Sequence, residues 1–290
     1  VTPEDRLDYL ASIDRPRLAL PDGARLAVFL VVNVERWDAA RPMPRQVLTP
    51  PQGASVVPDL PNWAWHEYGM RVGFWRLKAA LDARGIAPTL ALNGSVPAAY
   101  PRIAAACREG GWEFMGHGFH QTATHLVEDQ RAMIRDTIAS LAAAGGHDVV
   151  GWLAPGLTET EATPDLLAEA GIRYCADWVI DDLPASLKTI HGPMLTMPYS
   201  VELNDIPIMM IQHHTASELF DRTVAQFDRL YAETATQGAK VMGLAVHPYI
   251  SGVPHRIGWF ERALDHMRAT PGVVFWQGRE IMSWYKEATA

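Results

Sequence analysis

Short apolar runs alternate along this chain with longer segments of helical spacing. Leu26-Ala27-Val28-Phe29-Leu30-Val31-Val32 is unbroken and rich in β-branched residues, the pattern of a strand buried on both faces in a parallel sheet. It runs into Asn33-Val34-Glu35-Arg36-Trp37. That places a carboxylate at the carboxyl end of a strand, where α/β sheets hold their ligands. Further strands are predicted at 88–92, closing on Asn93-Gly94, and at 112–115, closing on Gly116-His117-Gly118-Phe119-His120-Gln121. Others follow at 149–153, at 173–176 before Asp177-Trp178 and Asp181-Asp182, at 194–197, at 240–246 before His247-Pro248, and at 273–276. Helical spacing predicts helices over 68–84, 97–108, 128–144, 216–236, 258–269 and 280–285. One more opens with a Thr163 cap and Pro164 and stops at Gly171. Residues 1–25 read as an N-terminal arm with proline turns. The stretch from Trp37 to about Trp65 is proline-rich and without period, so it reads as a long loop; its tryptophans argue for an ordered rim over the first strand's end.

Strands and helices alternating in this way predict a parallel sheet. Seven or eight such units in 290 residues favour a closed or nearly closed (β/α) barrel, one catalytic domain over 26–290. Composition agrees, with 48% hydrophobic residues to fill one substantial core. A formal net charge of -8 argues against nucleic acid or an anionic membrane as partner. No apolar run reaches the ~18 residues of a membrane span, and the polar start has no signal-peptide core. Cys107 and Cys175 sit in apolar stretches and make no disulfide framework. A cytoplasmic homo-oligomer acting on a small molecule is expected. The chain starts at Val1, which leaves a removed upstream segment open.

Four predicted strand ends carry chemistry: Glu35, His117, Asp177 and His247. A barrel would turn all four into one mouth. Each has a bland alternative: Glu35 a strand end at the surface, His117 a core histidine bonded to backbone, His247 a turn residue before proline, Asp181-Asp182 a solvated loop. Their matching positions favour the joint reading. The His117-x-x-His120 spacing invites a metal, but Gly116 and Gly118 make the segment a loop, so the signal is weak.

The chain resembles the polysaccharide deacetylase superfamily, and within it the metal-independent allantoinases and related cyclic-amide hydrolases. The resemblance spans roughly residues 26–285. It rests on Asn33-Val34-Glu35, Glu67-Tyr68-Gly69 with Arg71-x-Gly73-Phe74-Trp75-Arg76, His117-Gly118-Phe119, Asp181-Asp182-Leu183-Pro184 and Leu244-Ala245-Val246-His247. It implies a deformed (β/α)7 barrel. Metal-dependent members carry T-F-D-D-G at the first strand end, one Asp a base and the next a metal ligand; here those positions are Glu35 and Arg36. Their H-[ST]-x-x-H reads here as His117 and Gln121, and R-x-P-x-G becomes Trp152-Leu153-Ala154-Pro155-Gly156. Two of three metal ligands are therefore missing.

This implies a hydrolase that opens a cyclic amide without metal or other cofactor. Glu35 would be the general base on water, its pKa raised by tryptophan walls. His247 would stabilise the oxyanion or protonate the departing nitrogen, and His117 would orient water or carbonyl. Asn33, Arg36, Trp37, Asn93, His120, Gln121, Trp178 and Asp181 are expected around the substrate, with Arg36 pairing with Asp181 or an anionic group. Two other readings remain open: a metal-dependent amino-sugar N-deacetylase, and a non-catalytic binding module on a degenerate scaffold.

Overall fold

The structure is a computed structural model that describes residues 2–49, 53 and 56–290. Strand β1, Leu26–Val34, is its axis. In chain order there follow β2 (Thr89–Leu92), β3 (Glu113–Gly116), β4 (Gly151–Trp152), β5 (Tyr174–Cys175), β6 (Ser186–Leu187), β7 (Met194–Thr196), β8 (Lys240–Val246) and β9 (Val273–Phe275). They hydrogen-bond in the order β6-β7-β5-β4-β3-β2-β1-β8, with β9 against the start of β1. Every pairing is parallel except β6 with β7. The sheet curls into a half-barrel. Its open side is bridged by irregular backbone: Val241 N donates to Asp182 O at 2.8 Å and Ala245 N to Leu203 O at 3.0 Å. This is the single α/β domain, with a curled parallel sheet, that the alternation predicts.

Strand parity sorts the core into two faces. Leu26, Val28, Leu30, Val32 and Val34 pack outward on the helices, together with Leu90, Leu92, Phe114, Met242, Leu244 and Val246. Ala27, Phe29, Val31, Ala91, Met115, Val241 and Ala245 fill the inside of the curl. Side chains alternate faces residue by residue, so counting on past each strand end assigns Asn33, Glu35, Asn93, His117 and His247 to the inner face. Phe29 is fully buried there; its truncation to alanine would cost about 3–5 kcal/mol.

Several boundaries differ from the expectation. Helix starts at Leu60, capped by the Asp59 side chain, and runs through a π turn at Gly69–Gly73 to Asp82. Trp63 and Trp65 therefore belong to a helix and not to the loop; residues 50–52, 54 and 55 of that loop lie outside the described residues. The π turn lies flat on the backbone after β8: a Cβ at Gly69 or Gly73 would overlap Tyr249 or Pro248. Those two glycines thus set the close approach that fixes the turn carrying His247. A second π turn, Ile206–Ile211, has no counterpart in the predicted elements. Thr163 is the first helical residue, Ala162 being the cap; its hydroxyl accepts from Thr160 N instead. The N-terminal arm is anchored by Arg6, which pairs with Asp165 at 2.7 Å, and by Leu18 and Leu20, which are buried.

Candidate active site

Glu35, His117 and His247 meet at the inner end of the sheet, with relative exposures of 4%, 3% and 3%. Glu35 Oε1 faces both imidazoles, 3.8 Å from His117 Nε2 and 3.6 Å from His247 Nε2. Both gaps are longer than a direct hydrogen bond. Glu35 Oε2 accepts from the indole Nε1 of Trp37 at 2.8 Å. Burial alone would raise the Glu35 pKa, but the two imidazoles outweigh it and hold the carboxyl well below its usual range. This reverses the expected direction: the aromatic walls do desolvate Glu35, yet the flanking histidines decide its charge.

Each histidine is oriented by its other nitrogen. His117 Nδ1 donates to the Leu153 carbonyl at 2.6 Å, which directs Nε2 toward Glu35. His247 Nδ1 donates to Asp205 Oδ1 at 2.6 Å. Asp205 Oδ2 also accepts from His247 N and from the Ser251 hydroxyl, each at 2.7 Å. Burial pushes the His247 pKa down, but the charge and hydrogen bond of Asp205, then those of Glu35, lift it to about 9. At neutral pH the mouth holds an anionic carboxylate against an imidazolium, which is a proton acceptor and a proton donor facing one another. Asp205 is absent from the expected set. So is His66, whose ring stacks on Trp37 at 4.4 Å with 16° between the planes. Burial lowers His66 to about 4, so it is neutral.

The other expected residues divide. Asn33 braces the wall, its amide donating to Tyr199 Oη and Val246 O. Asn93 is likewise committed: Oδ1 accepts from Arg36 N at 2.8 Å, and Nδ2 donates to His117 O and Gln121 Oε1. It shapes the mouth and offers no free oxyanion donor. Trp37, at 3% exposure, is spent on Glu35 and wedged against His66, Trp65 and Tyr249. His120 is exposed and lies with Arg41 and Phe119 in a separate cavity of about 320 Å³. Asp181 does not pair with Arg36. It is bound to Arg15 of the arm and also accepts from Leu183 N, because the loop after β5 folds down beside the arm. Trp178 donates to Glu159 at 3.0 Å, and Asp177 joins Glu159 and the Cys175 thiol in a cluster of its own. Asp177 stands two residues beyond Cys175 and shares its outward parity, which keeps it out of the mouth.

The loop after Trp37 is tied to the start of the helix Leu60–Tyr68. Val47 N and Leu48 N donate to Asn62 Oδ1 at 2.7 and 2.9 Å, and Asn62 Nδ2 returns a bond to Leu48 O. Asp59 holds Asn62 in turn.

The residues present do not fit the metal ion of the metal-dependent members. Arg36 is a fixed cation, and the Gln121 oxygen is occupied by Asn93. Only His117 remains as a donor from that set, and such sites need three. Among the described residues, the trio of metal-type donor atoms within 4.8 Å of one another is Glu159, Cys175 and Asp177, which includes none of the mouth residues.

The fold is that of solved structures described as an allantoinase and as polysaccharide deacetylases, and the chain is similar to them over nearly its whole length. No family model matches it. Among solved structures it is similar to PuuE allantoinase, at a TM-score of 0.84 with 23% identity over 94% of each chain. It is also similar to a Pseudomonas aeruginosa protein described as a probable polysaccharide deacetylase, at a TM-score of 0.82 with 24% identity over 94% of this chain and 95% of that one. A Schizosaccharomyces pombe protein named as a polysaccharide deacetylase is 23% identical over 287 residues, covering 87% of this chain and 88% of its own length.

Proposed function

We propose that this chain is a hydrolase that opens a C–N bond in a cyclic amide such as an imide, hydantoin or ureide, by general-base catalysis without a metal. The observation that carries the reading is the seating of Glu35 Oε1 3.6 Å from His247 Nε2, with Asp205 on the other nitrogen of that imidazole, in a mouth whose metal-ligand positions read Arg36, His117 and Gln121. Glu35 takes a proton from water as the water oxygen bonds to the ring carbonyl carbon. His247 stabilises the oxyanion through Nε2–H and gives its proton to the nitrogen as the C–N bond breaks, leaving a ring-opened carboxylic acid. Imide and ureide nitrogens are delocalised and weakly basic, so their departure needs less electrophilic help than that of a sugar amine from its acetamide. That matches a mouth in which two of the three metal-ligand positions of metal-dependent members are Arg36 and Gln121. Arg36, next to Glu35 in the chain, contacts an anionic substituent, and the loop after Trp37, pinned at Val47 and Leu48 by Asn62, limits ring size. The likeness to PuuE allantoinase accords with this reading.

The names of the Pseudomonas and Schizosaccharomyces relatives favour a second reading, N-deacetylation of an amino sugar. One experiment separates them. The purified protein is offered hydantoin, allantoin, succinimide, glutarimide and phthalimide, with base consumption followed by pH-stat, and N-acetylated oligosaccharides, with acetate release. Ring opening without acetate release supports the proposal; zinc-dependent acetate release with no ring opening replaces it with the second reading.

A further inference from the structure

The two oxygens of Glu35 have different surroundings. Oε2 accepts the Trp37 indole N–H at 2.8 Å, while Oε1 is the atom nearest to both His117 and His247. The indole has no freedom to leave. His66 stacks on it at 4.4 Å, Tyr249 meets it edge-on at 5.2 Å and Trp65 at 6.1 Å. Among the described residues His66 finds no hydrogen-bond partner for either ring nitrogen, although it is buried.

We propose that Trp37 is a positioning residue, with His66 as its support: the indole N–H holds Oε2 so that Oε1 is the oxygen that takes the proton from water. The inference rests on the proposed general-base role of Glu35 for its kinetic consequence, though not for its structural one. With Oε2 engaged, rotation of the carboxylate is opposed, and Oε1 stays facing the two imidazoles. The titratable groups around Glu35 come from four elements: His117 after β3, Asp205 at the start of the π turn Ile206–Ile211, His247 and Tyr249 in the turn after β8, and neutral His66 on the helix Leu60–Tyr68. Of these groups and Trp37, the indole is the donor seated on Oε2.

The test replaces the N–H and keeps the ring. Trp37 is exchanged for 3-benzothienylalanine, which has the same outline with sulfur in place of N–H, and in parallel for phenylalanine (Trp37→Phe). The Glu35 titration is followed by carbon-13 NMR of side-chain-labelled glutamate, assigned with Glu35→Gln. Losing a donor to the carboxylate moves its midpoint to higher pH. On the ring that the wild type opens, kcat is expected to fall about ten- to hundredfold with KM within about threefold. His66→Ala, which removes the stack on the indole, is expected to reproduce part of the loss on both readouts. If the folded benzothienyl protein has an unchanged Glu35 midpoint and an unchanged rate, Trp37 is only packing and the proposal falls. If the wild type opens no ring at all, the functional reading fails, and the Glu35 midpoint alone still decides whether Trp37 orders the carboxylate.

Discussion

Asp205→Asn tests the electrostatic arrangement of the mouth without altering its volume. The wild-type carboxylate accepts three hydrogen bonds, two of them from His247, and is completely buried. Burial pushes the His247 pKa down, yet it rises from 6.5 to about 9, and Asp205 is the main group lifting it. A shift of that size corresponds to about 3 kcal/mol of folding free energy. Its sign follows from linkage: a raised folded-state pKa stabilises fully below about pH 6.5, and the contribution is lost as pH rises through about 9. The neutral amide removes the larger part of that contribution and sets an N–H2 group against donors. The stability gap between wild type and variant, measured by urea unfolding at pH 6, 7.5 and 9.5, should therefore be about 2–3 kcal/mol at the lowest pH and narrow toward the highest. Comparing the two proteins at each pH cancels the other titrating groups. In kinetics, a basic limb near pH 9 in the wild-type rate profile should move to lower pH in the variant, where Glu35 alone opposes the burial of His247. A gap that stays constant across the three pH values, with an unmoved basic limb, would refute the reasoning and make Asp205 a structural acceptor only.

Glu35→Gln preserves shape and removes the proton acceptor, so turnover should fall by about two to four orders of magnitude in a protein whose circular dichroism is unchanged; near-wild-type turnover would sink the assignment. Because Glu35 is held below the ordinary carboxylate range, wild-type kcat/KM should show no acid limb near pH 4.5, and a limb there would contradict the flanking-imidazole account. Asn62→Ala cuts the three bonds that pin Val47 and Leu48. It should cost about 1–3 kcal/mol of stability and raise phthalimide hydrolysis relative to succinimide; an unchanged ratio would show that the loop does not gate ring size. Exhaustive chelation should leave activity intact and added zinc should not raise it, whereas stoichiometric metal, with activity lost on removal and restored on return, would return the chain to the metal-dependent class.

What the sequence makes legible follows strand parity. β1 and β8 are long, apolar and β-branched, so their positions are readable from composition alone, and counting by twos from Phe29 or Ala245 reaches Glu35 and His247 on the inner face. The same count excludes Asp177, which shares the outward parity of Cys175. The start of the helix at Leu60 is also written in the sequence, as Asp59 at the cap with Pro61 in the first turn, but the tryptophans beside it carry the stronger appearance of a loop rim. Asp205 has no such signal. It lies 42 residues before His247 in an irregular stretch, and only the close seating of Gly69 and Gly73 on Pro248 and Tyr249 fixes the turn in which the two meet. Arg15 and Asp181 come together by the fold of the arm, which no periodicity encodes. The consequence reaches the chemistry. Counting apolar neighbours predicts a Glu35 pushed toward neutrality, whereas the structure surrounds it with two imidazoles, one of them made cationic by a carboxylate that local sequence cannot connect to it. Residue identity at strand ends thus locates the groups proposed to react, while their protonation states are set by partners that only long-range packing supplies.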